Sequence, residues 1–345
     1  MAPKPQKTCV AIDLGTATIS AATVDEDGVI QPVLFPSGDS YAASLPVDSD
    51  GVLHGPDWGG EAVEWVGNIT RSLANKPWVI ADVPYSSATL IQMVTAPAVE
   101  QAKTNLGAMP DCLVAIIPNH WPDYIVDSYI VGLERHGIRV CTISPQEAIA
   151  ASLPEHSPTG YVTYFDFGAT STSLSLVKCN RVRKRGEVTF HIVDPNGGER
   201  RVYAVVAGRI AREANPAFSP DRQWMLNAAF DVGEARLATH ESDTTGDVTV
   251  SLPDPIGSVN ISARTLLDYI EEEVCCVIQD LIDRPEVTQA WEEDGGATPN
   301  LHIVGGYSRD VTAANALRSV LCGYDAVEYP AASLAVGAAT VGAAK

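Results

Sequence analysis

The tightest constraint on this chain is a turn that occurs twice. Asp13-Leu-Gly-Thr-Ala-Thr-Ile-Ser20 and Asp166-Phe-Gly-Ala-Thr-Ser-Thr-Ser173 agree at Asp, Gly and the final Ser, and Val24 coincides with Val177. Each stands between two strand-like runs, Cys9 to Gly15 with Thr18 to Val24, and Tyr161 to Gly168 with Ser171 to Cys179. Glycine lets the backbone reverse tightly, so each copy reads as a hairpin. A third run follows each pair, Val29 to Phe35 and Glu187 to Val193, so both halves open on a three-strand meander. A repeated opening suggests duplication and two similar domains. The 345 residues suit two domains of roughly 150 each.

Between the meanders, strands and helices alternate. Leu113 to Pro118 and Arg139 to Ile143 read as strands, and Pro122 to His136 and Pro145 to Leu153 as helices. That alternation predicts a mainly parallel sheet covered by helices. Pro36 to Pro97 reads as an irregular insertion, folded around Trp58, Trp65 and Trp78. The second half predicts helices at Glu199 to Arg212, Gln223 to Ala238 and Ala263 to Ile282, the last with a stripe of Leu266, Ile270, Val274, Val277 and Leu281. Strand Asn300 to Val304 and helices Arg309 to Leu321 and Ala332 to Ala344 complete an α/β chain. The expected division is lobe I over 1–157, with a smaller subdomain near 36–97, and lobe II over 158–345, with a helical and strand subdomain near 213–298.

The formal charge of −20 disfavours nucleic acid and anionic membranes as partners. The basic cluster Arg181, Arg183, Lys184 and Arg185 reads first as a solvated hairpin tip. No run of about 18 apolar residues is present, so no membrane span is expected. The N-terminus carries no apolar leader region. Seven cysteines, without a CxxC spacing and mostly in apolar runs, predict reduced thiols and a cytoplasmic protein.

The hairpins also carry candidate chemistry. Successive amides around an Asp-x-Gly turn can cradle a phosphate, and Thr16, Thr18, Thr170 and Ser171 add hydroxyl donors. An aspartate at the strand end can hold the waters of a Mg²⁺ ion bridging phosphates. Leu301-His-Ile-Val-Gly-Gly-Tyr-Ser-Arg309 ends a strand in paired glycines before a helix, a place where a flat ligand can approach, and Arg309 can stack on a purine. Asn196-Gly-Gly-Glu199 is a second close-approach candidate. Each segment alone is equally an ordinary turn.

Six segments in order, Asp13-Leu-Gly-Thr, Ile-Ile-Pro118, Gln-Glu147-Ala-Ile-Ala-Ala, Phe-Asp166-Phe-Gly168, Gly-Gly-Glu199 and Val-Gly-Gly-Tyr-Ser-Arg309, resemble the nucleotide-binding domain of Hsp70 chaperones. The ending Tyr-Pro330-Ala-Ala-Ser-Leu-Ala-Val-Gly337 is similar to that family's closing helix. The resemblance implies the actin-like ATPase fold, two related lobes each with a mixed sheet and helices and a nucleotide cleft between them, with ATP or ADP and Mg²⁺ as cofactors. It implies a first phosphate loop at Asp13, Gly15, Thr16 and Ala17 and a second at Gly168, Ala169 and Thr170. By the same resemblance Asp13 and Asp166 order the Mg²⁺ waters, Glu147 assists near the metal, and Gly198, Arg236, Gly305, Gly306 and Arg309 surround adenosine.

The sequence departs from that pattern where catalysis is concentrated. The family's catalytic lysine segment is matched best by Gly60-Glu-Ala-Val-Glu64, which puts a carboxylate where an ammonium stabilises phosphoryl transfer, although Arg71 and Lys76 stand nearby in sequence. Ser173 replaces a second aspartate, Ala169 and Thr170 replace glycines, Gly233 replaces a glutamate, and Ala331 replaces an aspartate. The chain stops at Lys345, before the position of that family's peptide-binding domain. The leading expectation is a nucleotide-gated interaction module, with a protein partner and weak or lost ATP hydrolysis. A slow Mg-dependent ATPase, a scaffold that binds no nucleotide, and an actin-like filament protein are the alternatives.

Overall fold

The structure is a computed structural model describing residues 7–67, 69, 77–118, 121–152, 160–180, 185–241, 246–293, 300–307, 310–320, 326–328 and 333–342. The fold is mixed α/β, and the chain groups into two compact units. The first comprises Met1–Tyr161, Val177–Thr189 and Tyr329–Lys345, and the second Val162–Leu176 and Phe190–Glu328. Arg71, Lys76, Arg181, Arg183, Lys184, Arg309, Cys322 and Ala331, all singled out in the sequence, lie outside the described residues, as does the side chain of Cys179.

In the first unit β1 (Cys9–Leu14) is apolar on both faces and almost wholly buried, as a central strand must be. It pairs antiparallel with β2 (Thr18–Val24), in the register Asp13 to Ser20 and Leu14 to Ile19. The predicted third strand is short. β3 (Ile30–Pro32) pairs with the end of β2, and β4 (Ser40–Ala42) takes the other end. Pro32 lacks a ladder donor, which helps explain why β3 stops there.

Two further hairpins follow, β5 (Leu45–Val47) with β6 (Glu64–Val66) and β7 (Trp78–Ile80) with β8 (Val83–Tyr85). The irregular insertion expected to run to Pro97 ends sooner, because α1 spans Ser87–Leu106 with Pro97 inside it. Ser86 caps its start by accepting from the Thr89 N–H (3.1 Å), and Gly107 closes it in the left-handed region at φ 73°. The Tyr41 hydroxyl donates to the Val94 carbonyl (2.8 Å), close to where the proline interrupts the helical hydrogen bonds.

β9 (Cys112–Ile116), α2 (Asp123–Glu134), β10 (Arg139–Ile143) and α3 (Pro145–Ser152) continue the unit. The sheet order is β10-β9-β1-β2-β3. Strands reached through helices pair parallel and those joined by tight turns pair antiparallel, so the sheet is mixed and not mainly parallel. The parallel register sets Cys9 beside Cys112, and the two form a disulfide (Cα–Cα 4.9 Å). The expectation of reduced thiols is therefore corrected for this pair. Cys141, Cys275 and Cys276 are free thiols.

The second sheet runs β13-β12-β11-β16-β17, with β11 at Gly160–Phe167, β12 at Thr172–Asn180, β13 at Arg185–Asp194, β16 at Asn300–Val304 and β17 at Ala326–Glu328. Between β13 and β16 lie α4 (Glu199–Ala214), α5 (Arg222–Glu241), the hairpin β14 (Asp247–Leu252) and β15 (Gly257–Ser262), α6 (Ala263–Ile282) and α7 (Pro285–Glu293). α8 (Val311–Val320) follows β16. The stripe expected on α6 is buried in full, and Ser262 caps that helix by accepting from the Thr265 N–H (3.0 Å). The core of this unit joins Phe165, Phe167, Val202, Ile210, Leu266, Ile270 and Leu317. Each such buried side chain contributes about 1.5–3 kcal/mol.

The closing helix α9 (Ser333–Gly342) packs on α3, β1, β2 and β9, all in the first unit. Ala335, Ala338 and Ala339 are fully buried there, small enough to let the helix approach closely. The sequence-based division at 157/158 had grouped this helix with the second half.

Candidate functional site

The two repeated turns close with the same hydrogen bond. In the first unit the Gly15 N–H donates to the Thr18 carbonyl (3.0 Å), and in the second the Gly168 N–H donates to the Ser171 carbonyl (3.0 Å). Asp13 and Asp166 each sit one residue before the end of the strand that enters the turn. Gly15, Thr16 and Ala17 fill the first turn, and Gly168, Ala169 and Thr170 open the second, as the spacing predicted.

The first turn is half-buried to exposed. Gly15 and Thr16 are half-buried, and Ala17 and Thr18 are exposed. The Ala43 N–H anchors the turn by donating to the Ala17 carbonyl (2.7 Å). Asp13 acts electrostatically on Tyr129, whose phenol is raised first by complete burial and then by that carboxylate. Glu147 lies in the same unit at the start of α3, and its carboxylate forms a capping box. It accepts from the Ser144 N–H (2.9 Å) and hydroxyl (3.0 Å), while the Ser144 hydroxyl accepts from the Glu147 N–H (3.2 Å).

The second turn is enclosed. The start of α4 lies on it, with the Glu199 N–H donating to the Gly168 carbonyl (3.1 Å) and the Arg200 N–H to the Ala169 carbonyl (2.9 Å). The buried Thr172 hydroxyl donates to the Gly197 carbonyl (2.7 Å). Gly198 is needed for this approach, since a Cβ there would stand 2.5 Å from the Gly168 oxygen and the Thr170 nitrogen. Gly305 has φ +99°, and a Cβ on it would overlap the Asp166 carboxylate and meet the Phe167 carbonyl at 2.5 Å. The structure thus gathers Asp166, Gly168, Ala169, Thr170, Gly198 and Gly305 at one place within the second unit. Gly306 follows on the exposed side.

Behind these glycines is a polar frame that the sequence did not reveal. Tyr307 packs edge-on against Phe167 (5.0 Å between centroids) and Tyr203 (5.9 Å). Glu199 is pushed up to about 7, mainly by burial, with Asp310 adding to the rise and the Tyr203 hydroxyl and Arg236 opposing it. Burial alone pushes Asp166 up to about 6. Asp310 caps α8, accepting from the Thr312 N–H (2.8 Å) and the Ala313 N–H (3.2 Å), and its second oxygen pairs with Arg236 (2.9 Å).

Arg236, expected at the adenosine, is only 2% exposed. It donates to the hydroxyls of Thr239 (3.0 Å) and Thr312 (3.2 Å), tying α5 to α8. Glu199 stands in the Gly-Gly-Glu motif, expected near ribose or base, and the structure sets it against the second turn. Tyr203, Tyr307 and Asp310 carried no comparable signal.

Among the described residues no three His, Cys, Asp or Glu side chains converge as a protein-built metal site requires. Asp13 and Asp166, each near the end of its strand, carry oxygen donors of the kind that hold a hard cation through water. No protein-family model matches the chain, and no curated protein matches its sequence.

Proposed function

We propose that this chain binds ATP or ADP with Mg²⁺ through the Asp13 and Asp166 hairpins and acts as a nucleotide-gated interaction module with weak or lost hydrolysis. The observation that carries this reading is the pair of turns, alike in sequence and each closed by a glycine N–H bond to the carbonyl three residues on. Such turns present amides and hydroxyls to phosphate oxygens. Mg²⁺, when bound, neutralises phosphate charge, and Asp13 and Asp166 orient its waters. Gly198 and Gly305 keep the second turn free of side chains at its back, and α4 directs its N-terminal end toward it.

Weak chemistry follows from the same residues. Glu64 is exposed on β6 where the resembled pattern has a cation, and Ser173 replaces a carboxylate. Glu147 is occupied in a capping box, and an Asp166 with a raised pKa is a poorer anchor for a hydrated cation. Titration calorimetry with Mg-ATP and Mg-ADP tests binding, and phosphate release from the wild type and from Asp13→Ala tests turnover. The reading predicts binding of both nucleotides with little or no phosphate release. Absence of heat and of thermal stabilisation at millimolar nucleotide overturns it.

A further inference from the structure

In the first unit, the β5–β6 and β7–β8 hairpins and the loop after β5 carry large apolar side chains into solvent. Val63 is 66% exposed, Trp65 57% and Val79 68%, and Val52 and Val83 are exposed as well. These pieces adjoin. The Val63 N–H donates to the Val47 carbonyl (2.9 Å), Val47 also bridges to Leu53, and a Cβ on Gly51 would stand 2.6 Å from the Ala81 Cβ at the β7–β8 turn. The loop after β5 is locked by its own contacts. The Asp48 carboxylate accepts from the Asp50 N–H (2.9 Å) and the Val52 N–H (2.8 Å) and pairs with His54 Nε2 (2.8 Å). The His54 ring stacks flat on Trp58 (4.1 Å between centroids). Grouped exposed apolar side chains mark an interaction surface, and a surface fixed in advance loses little entropy on binding. It involves neither the Asp13 nor the Asp166 hairpin.

Charge decides what this surface fits. The 63 residues from Thr8 to Thr70 hold ten Asp or Glu and no Lys or Arg. Asp50, Asp57, Glu61, Glu64 and Asp82 are exposed on the same strands and turns as the apolar side chains. A second copy of the chain would set this acidic surface against one of the same sign. Nucleic acid and anionic membrane are repelled for the same reason. A cationic protein segment is attracted. β6 pairs with β5 alone among the described residues, so its other edge is open to an added strand. Successive residues of a strand point to opposite faces, so Glu64 and Trp65 present an acid and an indole on the two sides of β6.

We infer that this face docks a basic, extended protein segment in which Lys or Arg alternates with apolar residues, laid along β6 with Trp65 as its anchor. The apolar residues cover the indole and its exposed neighbours, and the cations answer the acidic side chains. A segment with only one of the two residue types leaves half of the surface unmatched.

The test is titration calorimetry without nucleotide, using a short end-blocked peptide that alternates Lys or Arg with Val or Leu. The control peptides are the same sequence with Glu for every cation, and an oligolysine of equal length. The variants are Trp65→Ser and Glu61→Lys, both at exposed positions outside the core. The wild type is expected to bind the mixed peptide more tightly than either control. Trp65→Ser should weaken that binding about tenfold or more, and Glu61→Lys about threefold or more. No heat with the mixed peptide at millimolar concentration, wild-type affinity in either variant, or a control peptide that binds as tightly as the mixed one overturns the inference. So does a wild-type dimer in sedimentation that Trp65→Ser dissociates, because the occupant is then a second copy. Nucleotide is absent throughout, so failure here leaves the reading of the Asp13 and Asp166 hairpins untouched.

Discussion

The turn at Gly15 has Ala17 and Thr18 at the surface, and its Asp13 acts electrostatically on the buried Tyr129. The turn at Gly168 is pressed on by the start of α4 and by Gly305, with Glu199, Tyr307, Asp310 and Arg236 stacked behind. One hydrogen-bonded shape is therefore built in two ways. The first turn is held by its own strands and the Ala43 N–H, and the second is packed under the start of α4 and Gly305. Sequence divergence within a repeat need not mean lost geometry, because Ala169 and Thr170 stand where the resembled family has glycines and the closing bond is still made.

That contrast can be broken experimentally. The largest effect is expected from Asp310→Ala. It leaves the Arg236 guanidinium buried without its counter-charge and uncaps α8, and should cost about 3–5 kcal/mol in urea unfolding. A loss under about 1 kcal/mol means the frame does not support the turn. Gly198→Ala comes next, with an expected loss of about 2–3 kcal/mol, because the new methyl meets three backbone atoms at 2.5 to 2.6 Å. Gly15→Ala meets one carbonyl at 2.9 Å and should cost about 1 kcal/mol. Equal losses at the two glycines remove the distinction between an enclosed and an open turn.

A separate effect is one of pH. The Glu199 carboxyl is raised in the folded state from 4.5 to about 7, so the folded protein holds this proton more tightly than the unfolded chain. The resulting stabilisation is complete below the unfolded value and is lost as pH rises through about 7. Glu199→Gln has no such dependence. Between about pH 5 and pH 8 the wild type should lose on the order of 2 kcal/mol relative to the variant in denaturant unfolding. Parallel curves mean that Glu199 is solvated.

The same contrast explains what could be read in the sequence. The first hairpin, the α6 stripe and the strand ending in Gly305-Gly306 are local patterns, governed by strand pairing, a 3.6-residue period and glycine. They appear where expected. α1 was hidden because Pro97 reads as a breaker, whereas tertiary contacts such as that of Tyr41 hold the helix through it. The Cys9–Cys112 pair depends on which residues the parallel register sets side by side, which spacing does not encode. Asp310, Tyr203 and Tyr307 are an ordinary cap and two ordinary aromatics in sequence. Their meaning comes from residues distant in the chain, and so does the burial of Arg236.

Amide hydrogen exchange across both turns, with and without Mg-ATP, tests the central claim most directly. The account predicts added protection at Thr16 to Thr18 and at Ala169 to Ser171 together, the gain being larger at the first turn because the second is already enclosed. Unchanged exchange at both turns under saturating Mg-ATP contradicts it.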